Sequence, residues 1–285
     1  MKHSAVQDIA ATDALYLDLL KRGLTRYAFP EKYRRLAPKR TIRRAVYAPI
    51  RNLLALFDLE LVRPARVDLA RRAEGEDKPP EAETMIGLRR LDNLQHCITD
   101  VLRRGVPGDM IETGVWRGGA TIFMRAVLKA YGDTERLVWV ADSFQGLPEP
   151  YPPRYPADRD RDYWVEGGLG PQILAVPLEE VRANFARYGL LDDQVRFLVG
   201  WFRETLPSAP IDRLAILRLD ADMYESTMDA LRYLYPKLSV GGYAIIDDYG
   251  VISACKAAVE DFRAEQGVKE ELQWIDRAGV FWRRL

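Results

Sequence analysis

Apolar and polar positions follow one rhythm before about Thr84 and another after it. In the first part, Leu15, Leu19 and Leu20, with Tyr16 beside them, recur at helical spacing and predict an N-terminal helix. Pro30 interrupts that pattern, and a second apolar segment carries Leu53, Leu54, Leu56, Phe57, Leu59 and Leu61. A charged, proline-bearing stretch over residues 71–83 reads as a loop. Residues 1–83 are therefore expected to form a helical extension that packs on the core, on a partner subunit, or on both.

From Thr84 onward, short apolar runs alternate with helical periods. Helices are predicted over residues 88–104, 120–131, 181–188 and 228–235. Strands are predicted over 109–112, 137–141, 195–199, 214–219 and 243–246. Strands that alternate with helices imply an α/β fold with a doubly wound, mainly parallel sheet over residues 84–285. Such sheets bind ligands beyond the carboxyl ends of their strands. Those ends carry Glu112, Asp142, Asp220, Asp247 and Asp248, so they are expected to bind hydroxyl groups or to hold a cation.

Composition narrows the function classes. Hydrophobic types make up 48% of 285 residues, enough for one substantial core. The 42 basic and 42 acidic side chains balance, which argues against a nucleic-acid binder by net charge. Basic residues do crowd one stretch, with Lys32, Arg34, Arg35, Lys39, Arg40, Arg43, Arg44 and Arg51. That stretch reads as a solvated or subunit-contacting helical surface, or as a contact for an anionic partner or membrane surface. The two cysteines, Cys97 and Cys255, form neither a metal motif nor a disulfide framework, and read as buried thiols of a reducing compartment. Asp8, Asp13 and Asp18 break any leader-like apolar run, and no stretch is long and uncharged enough to span a membrane. A cytoplasmic protein is expected.

Two groups of residues carry chemistry. In Glu112-Thr-Gly-Val-Trp-Arg-Gly-Gly119, which follows a strand and precedes a helix, Gly114 permits a tight turn and close ligand approach. Asp142 follows the next strand, where a carboxylate accepts both hydroxyls of a ribose. The absence of a G-x-G-x-x-G diphosphate cradle favours S-adenosylmethionine over a dinucleotide, and acidic and aromatic neighbours suit its sulfonium charge. The second group is Asp220 with Asp247 and Asp248, on strands expected to be neighbours. Three such carboxylates resist ionising together unless a hard divalent cation such as Mg²⁺ joins them; the plainer alternative is helix capping and surface acids. The only histidines, His3 and His96, lie far from these motifs in sequence, which argues against zinc and against a histidine base.

These residues resemble the macrocin O-methyltransferase (TylF) family of metal-dependent sugar methyltransferases from antibiotic biosynthesis. The resemblance begins at Leu15-Tyr-Leu-Asp-Leu-Leu-Lys21, Thr84-Met-Ile-Gly87 and Arg90-Leu-Asp-Asn93. It continues through Ile111-Glu-Thr-Gly-Val-Trp-Arg-Gly-Gly119, Ala141-Asp-Ser-Phe-Gln-Gly-Leu-Pro148 and Gly200-Trp-Phe202. It ends with Leu219-Asp-Ala-Asp-Met-Tyr-Glu-Ser-Thr227, Asp247-Asp-Tyr249 and Gly279-Val-Phe-Trp-Arg283. It implies a Rossmann-like class I methyltransferase core, Mg²⁺ dependence, and homo-oligomers built partly through N-terminal helices. By motif position it assigns Asp220, Asp247 and Asp248 to the metal, with Asp220 also the base. It assigns Glu112, Gly114, Asp142 and Ser143 to the cofactor, Thr84 and Met85 to its methionine end, and Trp201 to the neighbourhood of its adenine.

The implied reaction is direct methyl transfer to a hydroxyl of a deoxysugar or other sugar on a glycosylated small molecule. A catechol-type phenol offers the same vicinal oxygens, and a non-catalytic nucleotide-binding subunit is a different class of reading. The segment over residues 149–176, rich in Pro, Tyr, Asp and Arg, reads as a lid over the acceptor.

Overall fold

The computed structural model describes residues 11–36, 41–77, 79–151, 153–159 and 174–285. Two layers of helices enclose one large sheet, and its central strands show why. Strand β3 (Asp109–Thr113) and strand β6 (Leu214–Leu219) are almost continuously buried runs, the pattern of a parallel strand covered on both faces. Between them in sequence lie α5 (Gly119–Ala130), β4 (Val138–Asp142), α6 (Leu178–Arg187), β5 (Val195–Val199) and the short α7 (Phe202–Thr205). After β6 come α8 (Tyr224–Leu234), β7 (Leu238–Ile246), α9 (Ser253–Gln266), β8 (Gln273–Trp274) and β9 (Val280–Arg283).

The strand order is β5-β4-β3-β6-β7-β9-β8. Strands β3 to β7 pair in parallel, while β9 runs antiparallel to both β7 and β8. The chain winds outward from β3 through β4 to β5, then returns to lay β6 on the other side of β3. That reversal opens a crevice between the ends of β3 and β6, where open α/β sheets take ligands. The doubly wound, mainly parallel sheet expected from the sequence is thus present. Two of the five expected strands, β5 and β6, have the expected bounds. β7 begins earlier than residue 243, because its pairing with β6 shifts register between Leu214 and Ile216. β8, β9 and α9 have no counterpart among the predicted elements.

The preceding helix α4 (Leu88–Arg103) buries Leu91, Leu94, Ile98 and Val101 along one face. Before it stand α1 (Ala11–Leu24), a small antiparallel pair of β1 (Tyr33–Arg35) and β2 (Val62–Pro64), α2 (Thr41–Ala55) between them, and α3 (Leu69–Ala73). Helix α1 packs against α4 and α5 and buries Leu17, Leu20 and Leu24. This differs from the stripe expected from the sequence. Leu20 is inside, whereas Leu15 and Leu19 are 71% and 59% exposed. The inward face starts from Leu17, because the packed surface of α5 covers that side of the helix.

The stretch over 71–83, expected as loop, begins with the end of α3, which Asp68 caps through the N–H groups of Ala70 and Arg71. It is then tied down by the buried Arg72, which bonds Asp77 at 2.8 Å, Glu31 at 3.0 Å and the carbonyl of Arg26 at 3.0 Å. Among the described residues no helix is long and apolar enough to cross a membrane.

Candidate functional site

The carboxyl ends of the central strands hold the site residues in one row. The backbone N–H of Gly200 donates to Asp142, that of Gly114 to Ala141, that of Asp220 to Thr113 and that of Asp247 to Leu219, each at 2.9 Å. The parallel hydrogen-bonding pattern therefore runs one step past the strands. Asp142, Gly114, Asp220 and Asp247 are fixed by the sheet rather than by flexible loops.

This row borders a cavity of about 380 Å³, within the range of small-molecule sites. Met85, Gly114, Asp142, Ser143 and Trp201 line it, as do Asp220, Asp247 and Asp248. Gly114 has φ of 85°, and a Cβ there would lie 1.8 Å from the backbone oxygen of Asp220. No side chain fits between the two turns, so a ligand in the crevice meets bare backbone. Asp142 Oδ2 accepts the N–H of Val115 at 2.8 Å, and its Oδ1 accepts that of Phe144 at 2.7 Å. The Ser143 hydroxyl, 3.5 Å from Oδ1, and the Trp116 N–H also face this carboxylate, which lines the cavity as an acceptor for hydroxyl groups. Burial raises the carboxyl's pKa, and these N–H bonds oppose the rise.

Two expected cofactor residues stand behind the wall rather than on it. Thr84 is buried beside Gly119, where a Cβ would meet the Cβ of Thr84 at 2.6 Å, and its hydroxyl accepts the N–H of Ile86 at 3.3 Å. Glu112 is buried against Arg218. Arg218 is 1% exposed and binds three carboxylates: Glu112, Asp220 at 3.0 Å, and Asp247. Arg90, from α4, adds bonds to Asp247 at 2.5 Å and to Asp276 at 2.7 Å. Burial opposes both guanidinium charges, but the surrounding carboxylates outweigh it and raise both pKa values. Burial pushes Glu112 up to about 8; Arg218 pulls it down, while Asp220 and Asp247 add to the rise.

The carboxylates that converge differ in one member from the set expected from the sequence. Oxygens of Asp220, Asp222 and Asp248 lie within 4.8 Å of one another. Asp247 instead turns toward Arg90 and Arg218. Asp222 reaches the group because the turn after β6 places it in the left-handed region, with φ of 56°. Asp248 Oδ2 is buried without a hydrogen-bond partner. Burial, then the charges of Asp222, Asp220 and Asp247, drives the Asp248 pKa well up, and Asp220 is pushed to about 6 by burial and by Asp247. An all-oxygen donor set with an orphaned buried oxygen fits a hard divalent cation.

Arg90, Arg218 and Asp222 stand in or beside the sequence motifs, but the sequence reading assigned none of them a role. An arginine inside the otherwise apolar Leu-Ala-Ile-Leu-Arg-Leu strand was a signal that buried partners exist. Arg90 carried no such mark, since its partners come from elements remote in sequence. Of the segment over 149–176, the described parts include Tyr155 and Asp158; Tyr163 and Trp164 lie outside the described residues.

Known proteins resemble this chain over nearly its whole length. The macrocin-O-methyltransferase (TylF) family profile matches residues 13–284. The 8-demethyl-8-(2,3-dimethoxy-alpha-L-rhamnosyl)-tetracenomycin-C 4'-O-methyltransferase of Streptomyces olivaceus is 52% identical, over 94% of this chain and 92% of its own. The mycinamicin III 3''-O-methyltransferase of Micromonospora griseorubida is 48% identical, over 95% of this chain and 96% of its own. The solved structure of the O-methyltransferase NovP is 46% identical, with a TM-score of 0.78 over 95% of this chain and 99% of that one.

Proposed function

We propose, for a chain that belongs to the macrocin-O-methyltransferase (TylF) family, the methylation of a sugar hydroxyl on a glycosylated small molecule, with S-adenosylmethionine as donor and Mg²⁺ as a required cation. The observation that carries this reading is the gathering of Asp220, Asp222 and Asp248 beside the cavity that Gly114 and Asp142 line. The sugar is argued from the relatives, whose names specify 4'-O-methyl transfer on a rhamnosyl-tetracenomycin and 3''-O-methyl transfer on mycinamicin III.

Asp142 accepts the ribose hydroxyls of the donor, with Ser143 and Gly114 beside it and Trp201 flanking the base. Met85 covers the methionine end; Thr84 and Glu112 support these residues from behind. Asp220, Asp222 and Asp248 hold the cation, and Asp247 steadies Asp220 through the shared Arg218. When bound, the donor supplies an activated methyl group and the cation lowers the pKa of the acceptor hydroxyl. Asp220 takes the hydroxyl proton. The enclosed walls align acceptor oxygen and methyl group, which is the protein's main contribution to a reaction whose donor is already reactive.

Self-association through the N-terminal extension belongs to the same reading. Leu15, Leu19, Leu53, Leu56, Phe57 and Leu59 are each more than half exposed there, and apolar side chains gathered on one extension suit a subunit contact.

Turnover against a panel of glycosides and catechols, with and without EDTA, tests the reaction. Glycoside methylation should stop on chelation and return with Mg²⁺. Full turnover by metal-free protein in excess EDTA removes the cation from the reading, and catechol-only turnover removes the sugar.

A further inference from the structure

We propose that Asp158 is a positioning residue for the carboxylate turn, acting from the segment after β4 to cap α8 and so hold Asp220 and Asp222 in place. The first N–H groups of a helix need acceptors from outside it. The N-cap of α8 is Met223, which makes no side-chain cap. Asp158 supplies the cap from 66 residues away: its Oδ1 accepts the N–H of Tyr224 at 2.6 Å, and its Oδ2 accepts that of Glu225 at 3.1 Å. The carboxylate is 1% exposed. Burying a charge that deeply is costly unless its bonds are made, so both oxygens are committed to α8.

The turn held in this way is the one that matters for the site. It runs from Asp220 to Met223, with Asp222 in the left-handed region at φ of 56° and the N–H of Met223 on the carbonyl of Ala221 at 2.6 Å. A sheet bond fixes its start, at Asp220, and Asp158 fixes its far end. A second tie joins the same two segments, since the rings of Tyr155 and Tyr224 stand 6.0 Å apart. A serine or threonine at the N-cap would cap α8 locally. Capping from Asp158 instead makes the spacing of two clustered carboxylates depend on whether the distant segment is docked. Asp142 ends β4 and Gly114 follows β3, and each is held by its own sheet hydrogen bond rather than by Asp158.

The inference rests on the proposed cation site, and the test separates the two. Mn²⁺ affinity is read by electron paramagnetic resonance on the full-length protein, alongside calorimetry with S-adenosylhomocysteine. Asp158→Asn keeps the shape and loses one acceptor; Asp158→Ala loses both. Mn²⁺ should bind about fivefold more weakly to the first and weaker still to the second, the scale of a lost cap. Adenosylhomocysteine affinity should stay within about twofold, and kcat should fall more than the acceptor KM changes. Wild-type Mn²⁺ affinity in both variants overturns the inference. So do equal losses of Mn²⁺ and adenosylhomocysteine affinity, which indicate general loosening. If Asp158→Ala does not fold, the same comparisons on Asp158→Asn decide. A wild-type protein that binds no Mn²⁺ overturns the cation site and this inference together.

Discussion

Asp229 stands one helical turn beyond Glu225 on α8, both line the cavity, and the charge of Glu225 raises the cost of ionising Asp229. Burial first, and Glu225 next, push the Asp229 carboxyl up to about 6. A carboxyl raised above its unfolded value favours the folded state at low pH, and that advantage is lost as pH rises through the folded value. Asp229→Asn mimics the neutral form. It should therefore stabilise the protein at pH 8 by about 1 kcal/mol, a figure reduced for the partial exposure of the group. The gain should vanish below about pH 4, where both forms are neutral. Urea unfolding at the two pH values measures the difference, and an equal effect at both would refute the assignment.

Asp142→Ala should weaken adenosylhomocysteine binding by about 1.5–3 kcal/mol, the range for a hydrogen bond to a charged group. Titration calorimetry reads this directly. Because Asp142 also accepts the N–H groups of Val115 and Phe144, Asp142→Asn should retain part of the affinity. An unchanged dissociation constant in both variants takes Asp142 out of the cofactor site.

Arg218→Met should cost about 3–5 kcal/mol of folding stability, because it leaves buried carboxylates without their cation. Denaturant midpoints at constant slope give the value. A loss below about 1 kcal/mol would mean that those acids are neutral or find other partners.

Leu15→Ser with Leu19→Ser should lower the mass seen by light scattering, since both side chains are exposed on α1 while Leu17, Leu20 and Leu24 hold the helix to the core. Monomer stability should change by less than about 0.5 kcal/mol, as for exposed positions generally. An unchanged mass places any subunit contact elsewhere.

The sequence made the sheet legible because short, mostly apolar runs alternate with helical periods, and an acid or a glycine stands at the end of each run. It also brought Asp142, Asp220 and Asp248 to one edge, since that edge follows from strand order alone. It did not reveal which carboxylate meets which partner. Asp247 and Asp222 look interchangeable in a one-dimensional pattern, and only the left-handed turn at Asp222 and the reach of Arg90 from α4 separate them. The N-terminal stripe was misread for a related reason. On α1 leucines occur on both sides of the helix, and periodicity alone does not say which side a neighbour covers.

The charge cluster around Arg218 also bears on how the chain assembles. Its members come from β3, β6 and the end of β7, and Arg90 adds α4. A partly assembled sheet that has buried Arg218 but not yet recruited β7 carries a desolvated ion short of a partner, which is a strongly unfavourable state. These four elements, adjacent in space but scattered in sequence, are therefore expected to gain and lose order together. The binding crevice then exists only in chains whose whole central sheet is formed, so a local defect far from the ligand reads out as a lost fraction of competent molecules rather than as a weakened site.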